Sequence, residues 1–137
     1  MKTLLPEGWP RPSGYANGIA AEGRMVFVAG QIGWTPDGIF EKNDFLSQLK
    51  QTLLNTLAVL KEGGAGPEHM VRMTWYVTDR DEYLQNAKGM GLIWRDVMGK
   101  NYPAMACVAV TGLMEAKAKI EIETTAVVPI LTEGETL

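Results

Sequence analysis

Between Phe45 and Val77 the spacing of apolar residues changes period, and this change restricts the fold more than any other feature of the chain. Phe45, Leu49, Leu53, Leu57 and Leu60 recur at close to every fourth position, which places them on one stripe of an α-helix. Asn43 or Asp44 supplies a capping oxygen at its start, and Gly63-Gly64 ends it. Val71, Met73, Trp75 and Val77 then alternate with Arg72, Thr74 and Tyr76, the period of a strand with one buried face. A helix that must bury a stripe, followed at once by a strand that must bury a face, calls for helix layered on sheet.

The flanking segments extend that layer. Pro6, Pro10 and Pro12 make residues 1–12 an extended lead-in. Tyr15 to Ala21 and Arg24 to Ile32 read as two strands joined by a turn at Glu22-Gly23. Within the second, Met25-Val26-Phe27-Val28-Ala29 is a continuous apolar run suited to a strand covered on both faces. Asp79 opens a second helical segment that reaches Met98 and is stopped by Gly99 and Pro103. Strands follow at Ala104 to Thr111 and Ala118 to Val128, and residues 130–137 read as a frayed acidic tail. The order ββ-α-β-α-ββ predicts an α+β fold with two helices on one face of the sheet. At 137 residues the chain has room for a single domain, 1–137.

The inventory of reactive side chains excludes much chemistry. Cys107 and His69 are the only residues of their kind, and Ser13 and Ser47 are the only serines. That set cannot supply the three or four protein ligands of a zinc site, so no metal is expected, nor any other cofactor. Neither serine stands in a G-x-S-x-G elbow, and a disulfide within the chain is impossible. Thirteen Lys and Arg against sixteen Asp and Glu give a net charge of −3, with the cations scattered singly. No nucleic-acid partner is therefore expected. No apolar run approaches the ~20 residues of a membrane span and no signal peptide is apparent, so the expected location is cytoplasmic, away from membranes.

Two glycine-rich spots fail as phosphate cradles. Gly89-Met90-Gly91 meets Trp94 where G-x-G-x-x-G needs its last glycine, and Glu62-Gly63-Gly64-Ala65-Gly66 lacks a Gly-Lys-Ser/Thr. Both read as helix punctuation. The last strand is more informative, because Lys119, Glu121 and Glu123 alternate with Ile120, Ile122 and Thr124 and share one side of the sheet. A solvated face is the plain reading. The alternative is that Met105, Cys107 and Ala109 form an apolar wall beside a carboxylate, which would raise its pKa toward general acid–base work. Cys107 reads as a small buried hydrophobe rather than a nucleophile, and Trp75, Trp94 and Tyr102 as core or interface residues.

Several short blocks, in order, resemble a known family. They are Gly14-Tyr15-Ala16, Val28-Ala29-Gly30-Gln31-Ile32, Gln48 to Asn55 leading to Gly63-Gly64-Ala65, Thr74 to Asp79, Tyr102-Pro103-Ala104 and Ile120-Glu121-Ile122-Glu123. Their joint order, from about Ser13 to Pro129, resembles the Rid/YjgF proteins, the reactive intermediate deaminases. The resemblance implies a chorismate-mutase-like fold assembled as a homotrimer, with a small-molecule cleft at each subunit interface. It also implies hydrolysis of enamines and imines to oxo acids and ammonia, a hydrolase acting on C–N bonds. Carried onto this chain, Glu121 activates the water, Gly30 offers its backbone N–H, Tyr15 closes the cleft from a neighbouring subunit and Cys107 lines the wall. Ala29 and Gln31 flank that N–H.

Two positions depart from the family pattern. Pro103-Ala104 is followed by Met105 where the deaminases carry an arginine that forks onto the substrate carboxylate, and Ala29 stands where many members have serine. This resembles an arginine-lacking branch that includes aminomuconate deaminases. The implied substrate is then an extended conjugated amino dicarboxylate, gripped by Arg24, Arg72 or backbone donors in a pocket walled by Met105 and Trp94. The alternative from a different class is a non-catalytic, small-molecule-binding or regulatory trimer that has lost the arginine.

Overall fold

Asp44, rather than Asn43, caps the long helix α1 (Phe45–Glu62): its carboxylate accepts the Ser47 N–H at 3.0 Å. That bond holds the Asp44 carboxyl below its ordinary value of 3.8. At the other end Gly63 donates its N–H to Leu60 O, and Gly64 turns the chain with φ 73°. The buried face of α1 is half polar. Gln48, Thr52 and Thr56 are buried beside Phe45, Leu49, Leu53 and Leu60, while Leu57 is only partly covered. Thr52 and Thr56 donate their hydroxyls to carbonyls one turn back, Gln48 O and Thr52 O.

The computed structural model describes residues 1–130, so the tail expected at 130–137 lies outside the described residues apart from Ile130. Strands β1 (Lys2–Leu4), β2 (Gly18–Ala20) and β3 (Arg24–Ile32) precede α1. After it come β4 (Met70–Val77), α2 (Arg80–Gln85), α3 (Ala87–Met98), β5 (Ala104–Ala109) and β6 (Ile120–Val128). The main sheet has the order β3-β6-β4-β5, with β6 antiparallel to both neighbours and β4 parallel to β5. One face of the sheet carries Val28, Met73, Trp75, Val77, Ile120 and Ile122 into a single core with α1 and α3. This is the mixed α+β architecture that the periodicity predicts.

Four details correct the sequence reading. The first expected hairpin does not form: β2 pairs with β1 across Lys2↔Ala20 and Leu4↔Gly18, while β3 takes β6 as its partner from Arg24↔Val128 onward. The lead-in therefore includes a strand. The second helical segment breaks at Asn86, whose side-chain amide donates to Glu82 O at 2.7 Å, so three helices rather than two cover the sheet. A register shift between Met70 and Arg72 puts Met70, not Val71, on the buried face of β4. Last, β3 is covered on one face only, since Met25 and Phe27 are 55% and 69% exposed.

Candidate active site

On the open face of the sheet the last strand turns Glu121 and Glu123 away from the core. Tyr76, on the same face of β4, donates its hydroxyl to Glu123 Oε1 at 2.8 Å, which raises the tyrosine above its ordinary value. Glu121 stands closer to β3. There the pairing with β6 jumps from Val28↔Thr124 to Gln31↔Ile122, and Ala29 and Gly30 fall between the two registered stretches. A Cβ built on Gly30 would lie 2.8 Å from Glu121 Cδ, so any side chain there would displace this carboxylate from its present seat. The Gln31 side chain donates to Ala29 O at 3.1 Å and braces the irregular segment.

The apolar wall expected beside Glu121 is not there. Strand β4 separates β6 from β5, and its parallel pairing with β5 sets Met73↔Met105 and Trp75↔Cys107 on the face turned toward the helices. Lys119 also leaves the expected charged row, pairing with Glu82 of α2 at 2.7 Å.

Met105 and Cys107 belong instead to a cleft of about 870 Å³ between β5 and helices α2 and α3. The Ala16 N–H bonds to Pro103 O at 3.0 Å, with Ala16 bridging to Ala104, and this brings Tyr15 to the mouth of the cleft. Its floor is aromatic: Trp94 lies 6.1 Å from Trp75 and stacks on Tyr102 at 6.1 Å and 14°. Trp75 and Trp94 are buried core residues, as the sequence reading has it, and they also line the cleft. Their indole N–H groups are shielded from water and have no acceptor among the described residues. Cys107 is exposed rather than the small buried hydrophobe expected, yet partial burial of its thiol pushes it above the ordinary 9.0, and its hydrogen bond with Tyr83 only partly offsets that. Tyr83 itself is raised to about 12, mainly by burial. No imidazole activates the thiol, because His69 Nδ1 accepts the Gly66 N–H at 3.0 Å. Glu68 Oε1 approaches the same nitrogen at 3.5 Å.

One chain therefore holds two half-sites on opposite faces of one sheet. Gly30 and Glu121 meet on the open face, with Ala29 and Gln31 flanking Gly30 along β3, while Tyr15, Trp94, Met105 and Cys107 share the cleft. Arg72 is exposed on the open face of β4, close enough to act on Tyr76. Arg24 sits at the start of β3, its guanidinium beside Gly64, six residues and about 20 Å along the strand from Gly30. The sequence reading missed Lys88, Gly91 and Arg95, which line the cleft from α3. Their i, i+3, i+7 spacing was available, but Gly89 and Gly91 read as punctuation. Both lie inside α3, where Gly89 makes room for Leu46 and Gly91 faces open space. No group of residues able to hold a metal ion occurs among the described residues, and none of the described helices is long and apolar enough to cross a membrane.

The fold and the Gly30–Glu121 pair identify a family: the chain belongs to the Rid/YjgF proteins, and the family model described as endoribonuclease L-PSP matches residues 10–128. A RutC family protein of Synechocystis is 33% identical over 132 residues, covering 94% of this chain and 98% of the relative. A Salmonella typhimurium relative named 2-iminobutanoate/2-iminopropanoate deaminase is 31% identical, covering 92% and 97%. Among solved structures, a Rid family protein of unknown function from Yersinia pestis, YyfB, superposes with a TM-score of 0.81 at 29% identity, covering 93% of this chain and 98% of its own.

Proposed function

We propose that this protein is a hydrolytic deaminase of an enamine or imine, acting on a conjugated amino acid of the 2-aminomuconate type. The observation that carries the reading is the Glu121 carboxylate seated against Gly30 at the irregular turn of β3, in a family with an imine deaminase among its members. In this reading an enamine first takes a proton from solvent on carbon to become the protonated imine, an iminium. Glu121 accepts a proton from a water as the water oxygen bonds to the imine carbon. The carbinolamine then collapses: Glu121 returns its proton to the nitrogen, the C–N bond breaks to release ammonia, and the hydroxyl gives its proton to solvent as the carbonyl of the oxo acid forms. The Gly30 N–H orients the substrate. Cys107, a raised thiol with no base beside it, takes no covalent part.

The two half-sites meet only across copies of the chain. The homotrimer expected from the family would set the open face of one copy, with Glu121, over the cleft of the next, with Tyr15 and Met105. Exposed Met25 and Phe27 on that open face favour such an assembly. Met105 in place of a cation supports a second reading, a trimer that binds small molecules without turning them over. Ammonia release from 2-aminomuconate and from dehydratase-generated imines separates the two. Wild type should release ammonia, and Glu121→Gln should lose at least about a hundredfold in kcat. Equal rates for the two proteins would refute the role of Glu121, and ligand binding without turnover by wild type would establish the second reading.

A further inference from the structure

We propose that Lys88 and Arg95 grip the substrate's carboxylates, in place of the cation missing at position 105, and so select an elongated planar dianion. The proposal rests on the deaminase reading for its substrate, though not for the binding itself. The whole chain carries a net charge of −3, yet among the described residues Lys88 and Arg95, both exposed, are the only charged side chains lining the cleft. Neither is in a salt bridge among the described residues. They stand seven residues apart on α3, so they share one face of the helix about 10 Å apart along its axis. Gly91 lies between them on that face and meets nothing within 4 Å, which leaves a gap over which both long side chains can extend. The cleft is also lined by Trp94 and Tyr102, stacked on each other, an aromatic wall that suits a conjugated chain more than a strongly hydrated one. Met105 adds an uncharged, polarizable wall. Two cations carried about 10 Å apart along the helix, beside an aromatic wall, match an elongated molecule with a carboxylate at each end.

Calorimetric titration with muconate, a planar unsaturated dicarboxylate, against adipate, its saturated counterpart, tests this on the intact protein. Muconate should bind wild type about tenfold or more tightly than adipate. Lys88→Gln and Arg95→Gln should each weaken muconate about tenfold, flatten its salt dependence and leave the melting temperature unchanged, with Lys88→Arg restoring most of the affinity. In turnover both Gln variants should raise KM and spare kcat. No muconate binding by wild type, or equal binding by the double variant, overturns the grip. If muconate binding depends on Lys88 and Arg95 but no enamine is hydrolysed, the deaminase reading fails and the grip stands. If ammonia is released with KM unchanged in both Gln variants, the grip fails and the deaminase reading stands.

Discussion

Cys107 shows how position sets the chemistry of a single residue. The thiol lies beside the Tyr83 hydroxyl at the edge of β5, and both are neutral when protonated, the state that partial burial favours. The folded chain thus holds these protons to higher pH than the unfolded one. Their stabilising contribution is complete below pH 9 and is lost as pH rises past 9.0 for the thiol and past 10.0 toward about 12 for the tyrosine. Alkylation of Cys107 by iodoacetamide should accordingly show a midpoint above 9.0, and Tyr83→Phe, which removes the opposing hydrogen bond, should move it higher still. A midpoint at or below the ordinary value would contradict this environment. At this scale the sequence names the candidate residues, Glu121, Gly30 and Met105 among them. It does not tell which face each occupies, because that depends on β5 joining β4 in parallel and lying two strands from β6.

The elements are held in place by buried polar contacts as much as by apolar ones. Gln48 of α1, 1% exposed, donates to Lys117 O at 2.9 Å and accepts the Lys119 N–H at 2.8 Å, clamping the start of β6 and with it the run that presents Glu121. Asn55, two turns further on, donates to Ile32 O and Trp34 O and fixes the end of β3. Gln48→Leu should cost about 2 kcal/mol in urea unfolding, since two backbone groups lose their partner, and a loss below about 0.5 kcal/mol would show that water replaces the amide fully. The leucine stripe of α1 and the alternation of β4 and β6 are legible in the sequence because each is a local period. Gln48, Thr52 and Thr56 are not, since their bonds depend on where the helix lands. The break at Asn86 escapes for a similar reason: one side-chain amide decides it.

For the molecule as a whole, the open face of the sheet raises the question of assembly. Phe27 is 69% exposed and Met25 55%, a poor surface to leave in water. Phe27→Asp should leave the circular dichroism of the chain intact, convert a trimer to monomer in sedimentation and abolish ammonia release. A wild-type monomer with full activity would overturn the shared-cleft picture. The order of elements is legible along the chain and the family resemblance carries the expectation of a trimer, but the exposed face of β3 that bears on it appears only once β6 has taken its edge. Were the proposed trimer to form, the sheet that keeps the half-sites apart would make each chain answerable for two clefts. In the proposed trimer Lys88 and Tyr15 of a copy serve one, while Glu121 of the same copy serves its neighbour. A chain defective at Glu121 and another defective at Lys88 would therefore repair each other when mixed, and the activity would be inherited as a property of partnerships rather than of any single chain.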